Sequence, residues 1–295
     1  MRNLKRALSL ALAAIMLVGM MVVSASAASY NDLTDKDQIV NKDAVSMLVS
    51  LGIIEGKPDG SYAPTENVDR AQMAKMLSVI MNKGVDNSAL YQSVNSGLTD
   101  ITSNWAKGHI NYCYTTGIIA GRGNGTFDPS ATVTALEAAK MLLVAVGYDP
   151  AIEGFEGADW AINVSVRADE QGIFEGFTKD LSAPLNRDDA ALLIYNALDV
   201  EMIQSYTTNN YPIVYSDHRT ILSDKYGVIK VEGVVTANEW AILDDDTDTA
   251  LQEGKTRIYN PDGILSTTGN TAVAQDSSAN VKTQVFNVST PVDML

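Results

Sequence analysis

Three observations predict a mainly α-helical chain built from a repeated helix-loop-helix unit and followed by a partial β-rich C-terminal region. The stretch GKPDGSYAPTENVDRAQ at 56–72 returns as GRGNGTFDPSATVTALE at 121–137, an offset of 65 residues. Around those stretches apolar residues recur at three-and-four spacing, the period of an amphipathic helix. Past about Glu201 the pattern changes to apolar-polar alternation rich in β-branched and aromatic residues, the period of strands. With 295 residues, 46% of them hydrophobic, the chain can bury a sizeable core or two or three small domains.

The chain opens with Arg2, Lys5 and Arg6, an apolar run from Ala7 to Val23, and Ala25-Ser26-Ala27. This is the layout of a secretory signal cleaved after residue 27, the alternative being an uncleaved membrane anchor. Loss of those three cations takes the formal net charge from −15 to −18. So acidic a surface argues against nucleic acid and against a membrane partner after cleavage. Any anion must be held locally by an arginine or by backbone amides. Cys113 is the single cysteine, so no intramolecular disulfide forms, and beside Tyr112 and Tyr114 it reads as a small buried residue.

The 65-residue offset runs on without a gap: Gly52-Ile53-Ile54 matches Gly117-Ile118-Ile119, and Lys75-Met76-Leu77 matches Lys140-Met141-Leu142. A third copy begins at an offset of 55, with Asp159-Trp160-Ala161 on Asn104-Trp105-Ala106, Gly172-Ile173-Phe174 on Gly117-Ile118-Ile119 and Pro184 on Pro129. After Pro184 it is three residues shorter. The organisation read from this is a signal at 1–27, repeats at 28–83, 98–147 and 158–200, linkers at 84–97 and 147–158, and a β-rich region at 210–295. Repeats of this length are supersecondary units that must pack on their neighbours, so residues 28–200 are expected to fold alone and to lose cooperativity without the third.

Within a unit, 104–116 reads as a helix with Trp105, His109 or Ile110, Cys113 and Tyr114 on one side, stopped by Gly117. GIIAGRGNGTFDP comes next as a tight glycine-bearing loop. A second helix carries Met73, Met76, Leu77 and Ile80 in the first copy and Ala138, Met141, Leu142 and Ala145 in the second. Its start holds an N-cap and a partner three residues on: Asp69 and Gln72, Thr134 and Glu137, Asn186 and Asp189. Next to the cap stand Arg70 and Arg187, with Ala135 in the second copy. A cation there faces the positive end of the helix dipole at a cost of about 0.3–1 kcal/mol. It either completes an anion pocket with the free helix-start amides or pairs with a surface acid such as Glu66 or Asp188.

Together these residues resemble three tandem S-layer homology domains, the wall-anchoring module of Gram-positive surface proteins. The resemblance rests on Trp105-Ala106 and His109-Ile110 leading into GIIAGRGNGTFDP and TVTALEAAKML, on GIIEGKPDGSYAP with VDRAQMAKML, and more loosely on DWAINVSVRADEQGIF with LNRDDAALLIYNAL. It covers about residues 30–200. It implies a three-pronged pseudo-trimer with grooves between prongs, and binding of secondary cell-wall polysaccharide or another peptidoglycan-linked polymer through a pyruvate carboxylate. Carried over, Arg70 and Arg187 meet the carboxylate, Trp105 and Trp160 line a groove against sugar, and Asp59-Gly60 and Asn124-Gly125 offer hydrogen bonds. Either tryptophan is equally readable as a core or rim residue. Ala135, and the lack of a glycine-bearing turn at 179–181, imply that not all grooves work.

No nucleophilic, metal or phosphoryl-transfer set is visible: with His109, His218 and one cysteine there is no H-E-x-x-H, G-x-S-x-G or P-loop, and no cofactor or metal is expected, while paired carboxylates stay open in so acidic a chain. Asp244, Asp246 and Asp248 have calcium-loop spacing, but Thr249 and Lys255 stand where that loop needs glycine and glutamate. The reading is a secreted, wall-located binder rather than a catalyst. Its rivals are the anchor of a wall-attached enzyme such as a glycan hydrolase, with the catalytic part C-terminal, and self-assembly through the C-terminal region. The ending STPVDML gives the expectation of a longer protein.

Overall fold

The computed structural model describes residues 29–228, 234–237, 251, 255–259 and 283–287. The signal-type segment 1–27 and the acidic stretch 244–248 lie outside the described residues. Among the described residues are seven α-helices: α1 (Lys42–Ser50), α2 (Arg70–Met81), α3 (Lys107–Thr115), α4 (Ala135–Val146), α5 (Trp160–Glu170), α6 (Arg187–Leu198) and α7 (Ile221–Tyr226). Antiparallel strands β1 (Ile203–Tyr206) and β2 (Pro212–Val214) form one pair. Strands β3 (Val234–Ala237), β4 (Lys255–Tyr259) and β5 (Thr283–Asn287) form a sheet in that order. No helix of the described residues is long and apolar enough to cross a membrane.

The first helix of each repeat packs on the second helix of the repeat before it: α3 on α2, α5 on α4 and, closing the circle, α1 on α6. Helix α4 touches both α2 and α6, and most of its positions are buried. Three backbone hydrogen bonds lock the centre. The amide of Val68 donates to the Leu185 carbonyl (2.8 Å), that of Val133 to Val68 (2.9 Å) and that of Leu185 to Val133 (2.8 Å). Each repeat thus gives to one neighbour and accepts from the other.

This ring fixes the true register of the third copy. Leu185 corresponds to Val133, so Pro184 stands at Thr132 and Leu181 at Pro129. The Thr134–Pro184 and Asp69–Thr132 bridges say the same. The three missing residues therefore lie before Pro184, within the loop, and not after it as the Pro184–Pro129 match implies. What remains of that loop closes on Asp180, whose carboxylate accepts the Ser182 amide and hydroxyl (both 2.8 Å).

Helix α3 starts at Lys107, three residues later than the periodicity suggests, because Asn104 turns its side chain onto the Ala106 amide (2.8 Å) and leaves Trp105 in the preceding turn. The first linker is docked. A 3-10 turn at Ser88–Tyr91 lies against α3, and Asn111 donates to the Tyr91 and Val94 carbonyls. Gly108 permits that approach, since a Cβ there would come within 2.1 Å of the Ser88 carbonyl oxygen.

Beyond residue 200 the run read as strands is broken by α7. Thr220 accepts the Ser223 amide and Gly227 closes the end in the left-handed conformation, a pair of signals the alternating pattern concealed. The folded unit also runs past 200. Ile203, Ile221 and Leu222 are buried, the Tyr226 hydroxyl donates to the Ile80 carbonyl (3.2 Å), and the Tyr206 hydroxyl accepts the Asp149 amide (2.8 Å). A chain ended at residue 200 is expected to unfold at lower urea than one ended at 228. Burial of those three aliphatic side chains alone is worth about 1.5–3 kcal/mol each; equal midpoints would make 201–228 an appendage.

Candidate functional site

The helix-start amides are already taken. The Arg70 and Ala71 amides donate to Ala131 and Pro129 of the second repeat, Arg187 and Asp188 to Glu66 and Pro64 of the first, and Leu136 to Leu181 of the third. Each N-terminus is thus capped by the loop of another repeat as well as by its own Asp69, Thr134 or Asn186. The reciprocal half of the capping box is made by Gln72 and Glu137 but not by Asp189, which turns to Lys179. An anion pocket made of free helix-start amides is therefore absent at Arg70 and Arg187.

The two arginines accompany their amides into the neighbouring loops. Arg70 is buried; its Nε donates to Phe127 O and one Nη to Ala120 O, each at 2.8 Å, and its guanidinium lies 4.3 Å from the centre of the Phe127 ring. Arg187 repeats this one repeat away, with Nε to Tyr62 O at 2.8 Å, Nη to Glu55 O at 3.2 Å, and the centre of the Tyr62 ring 4.8 Å away. Tyr62 and Phe127, like Glu55 and Ala120, are 65 residues apart, so the clamp is one device used twice. Surface acids are not the partners, since Glu66 pairs with Lys57 and Asp188 accepts the Asn41 amide and side chain. Burial, with repulsion from Arg122 next, pulls the Arg70 guanidinium down to about 10, still charged at neutral pH.

Position 135 breaks the pattern on both sides. Ala135 is fully buried, the aromatic's place in the third loop is held by Lys179, and the Glu175 carbonyl is taken by Asn196 of its own repeat (2.9 Å). No acceptor cage awaits an arginine there.

The predicted site residues then sort by position. Arg187 and Lys75 both reach Glu55, Lys75 through the carboxylate at 3.5 Å. Lys75 also lies within the field of His109, whose ring centre is 6.3 Å from that of the 57% exposed Trp105 in an edge-type arrangement. At the corresponding place one repeat on, Lys140 donates to the Phe155 carbonyl (2.6 Å), feels the charge of Arg70 and stands 5.8 Å from the ring of Trp160, which is half-buried. Arg187, Lys75 and Trp105 are thus linked through Glu55 and His109, and Arg70, Lys140 and Trp160 through Lys140, each set drawn from three repeats. The corresponding positions of the remaining combination are Ala135, Leu192 and Val40. A surface pocket opens there, lined by Val40, Asn41, Leu192 and Tyr195 among others.

Asp59-Gly60 and Asn124-Gly125 serve their own turns. Asp59 accepts the Ser61 amide and hydroxyl, Asn124 those of Thr126, and the Gly60 and Gly125 carbonyls accept the amides of Thr34 and Thr99. Sequence reasoning missed Lys75 and Lys140 as site residues, although their match at the 65-residue offset was visible. It also missed Asp35 and Asp100, whose carboxylates each clasp two loop amides, Tyr62 with Ala63 and Phe127 with Asp128. The signal was Leu33-Thr34-Asp35 recurring as Leu98-Thr99-Asp100.

Two substitutions test the clamps. Arg70→Ala, leaving two loop carbonyls without their donor, should lower unfolding free energy in urea by about 2–4 kcal/mol, and Arg187→Ala, half-buried, by less. Ala135→Arg should also destabilise, because it forces a cation into a packed site beside Lys179.

The model of the S-layer homology domain matches residues 29–74 and 97–139. A cell surface protein of Thermoanaerobacter kivui is 27% identical over 270 residues, 90% of this chain and 32% of that protein. An S-layer protein of Bacillus licheniformis is 32% identical over 113 residues, 38% of this chain and 12% of its own length. An amylopullulanase of Thermoanaerobacterium thermosulfurigenes is 30% identical over 186 residues, 58% of this chain and 10% of the enzyme. The chain thus spans about a third of the first of these relatives and a smaller part of the other two.

Proposed function

Because the chain carries two S-layer homology domains, at residues 29–74 and 97–139, we propose that it is the wall-anchoring part of a secreted surface protein. Residues 158–200 are a third, divergent copy, and the three units form a pseudo-trimer whose grooves take a secondary cell-wall polysaccharide bearing an acidic, pyruvate-type substituent. The observation that carries this reading is the twofold recurrence of an arginine, a lysine and a tryptophan drawn from three different repeats. Each tryptophan gives a sugar an apolar face, and Lys75 or Lys140 gives a carboxylate its counter-charge. Arg70 and Arg187 fix the groove wall through loop carbonyls and add positive field. Ala135, Leu192 and Val40 lack all three features, so two polymer segments bind per chain.

The second reading, that this anchor serves a wall-attached glycan hydrolase, is favoured by the amylopullulanase and by a similar relative, an exoglucanase of Acetivibrio thermocellus, 28% identical over 186 residues. The two readings differ in the cargo that the anchor carries. Assay of the complete protein on α-glucan and β-glucan separates them, since an S-layer subunit hydrolyses neither.

Binding of the chain to isolated cell walls, before and after removal of their acidic polymer, tests the proposal. Titration with polymer fragments should give two sites, and stripped walls should retain little protein. Trp105→Ala should weaken binding at one site by about 1–2 kcal/mol with an unchanged melting temperature, since that side chain is mostly solvent-exposed. Full retention of Trp105→Ala, Trp160→Ala on native walls would remove both tryptophans from the site.

A further inference from the structure

Where α2 of the first repeat meets α3 of the second, Ser78, His109 and Asp86 form a short polar chain. His109 is 3% and Ser78 4% exposed. The Ser78 hydroxyl donates to the Lys75 carbonyl one turn back (2.9 Å), and its oxygen lies 2.6 Å from His109 Nδ1. With its proton so committed, the hydroxyl accepts from Nδ1–H. That places the proton of the neutral ring on Nδ1 and leaves Nε2 as a lone pair. Nε2 faces the Asp86 carboxylate at 3.6 Å, beyond hydrogen-bond length, and the Asp86 side chain is itself 53% exposed.

We propose that this chain is a proton-operated latch: it holds the first two repeats together while His109 is neutral and loosens that interface when Nε2 takes a proton. A proton on Nε2 places a full charge inside the α2–α3 contact. The groups facing it are Asp86 from the linker and Lys75 from α2; within α3 the neighbour one turn on is the buried, uncharged Cys113. Asp86 attracts the charge but keeps most of its own hydration, and Lys75 repels it. Burial outweighs Asp86 and holds the imidazole below its ordinary value. The folded state therefore binds fewer protons than the unfolded chain. The contribution is complete above about pH 6.5 and is lost as pH falls from there toward the folded value. The inference concerns the interface alone and does not depend on what the grooves bind.

The chain has two histidines, so His218→Gln leaves one imidazole to monitor by NMR. His109 should titrate below about 6.5, and lower still after Asp86→Asn. The urea midpoint of the full chain should fall further between about pH 7.5 and about pH 5 than that of His109→Gln, whose neutral amide can still donate to Ser78. A titration at or above the ordinary value, or an equal loss of midpoint in His109→Gln, overturns the latch. If His109→Gln does not fold, the imidazole titration decides alone.

Discussion

The closed ring of amide-to-carbonyl bonds through Val68, Val133 and Leu185 is the constraint on which the arrangement of the helices depends. Each of these residues immediately precedes the cap position of a second helix, so the ring sets where α2, α4 and α6 begin. Once those starts are held together, the loop just before each ring residue lies over another repeat's helix start and satisfies its orphan amides. Three helix termini, ordinarily left to water, are capped internally. The same closure sends α1, from the start of the described chain, onto α6 at the far end of the repeats. The Asn41–Asp188 hydrogen bonds pin that contact, so the core is a circle and no repeat can leave without opening two interfaces.

The helical units and their capped second helices were legible because period and cap chemistry are local. The offset of 65 carries most of it. The third copy was legible in kind but not in register: proline matched proline, whereas the backbone ring aligns Pro184 with Thr132. A short loop can be aligned by residue type or by hydrogen-bond position, and only the second is visible in three dimensions. Helix α7 was lost because six residues between strand-like runs carry too little periodicity to outweigh them, and its cap at Thr220 stood within an alternating pattern.

Arg70 and Arg187 show a different limit. Their placement against the helix dipole does need compensation, as local chemistry says, but the compensation is intramolecular. Carbonyls of Ala131 and Pro129, or of Glu66 and Pro64, lie over the positive helix ends, and the side chains find further carbonyls and a ring. The side-chain acceptors are some fifty to over a hundred residues away in sequence, and local reasoning has no access to them. The loss of arginine at 135 and of the aromatic at 179 then belong together. A clamp needs both halves, and once the third loop is held by Asn196 from its own repeat neither half retains a purpose.

This arrangement also limits how the proposed binding of an acidic polymer by an acidic chain could work. Helix-start amides, the usual neutral means of binding an anion, are occupied by carbonyl oxygens of neighbouring repeats, and those oxygens repel one. Attraction must therefore come from side-chain cations, against a net charge of −15. Lys75 and Lys140 are placed for it. Lys140 lies beside Trp160 and within the field of Arg70, and Lys75 faces the imidazole that Trp105 borders and shares Glu55 with Arg187. An arginine whose donors are directed to loop carbonyls cannot swing out to meet a ligand. Its contribution is a stationary positive potential; Lys140 is likewise held, donating to the Phe155 carbonyl (2.6 Å), whereas Lys75, 3.5 Å from the Glu55 carboxylate, is the more loosely held cation. The cost of holding a cation in the interior is met by carbonyls and rings that the fold already aligns, so the two arginine charges are fixed by the packing of the repeats alone.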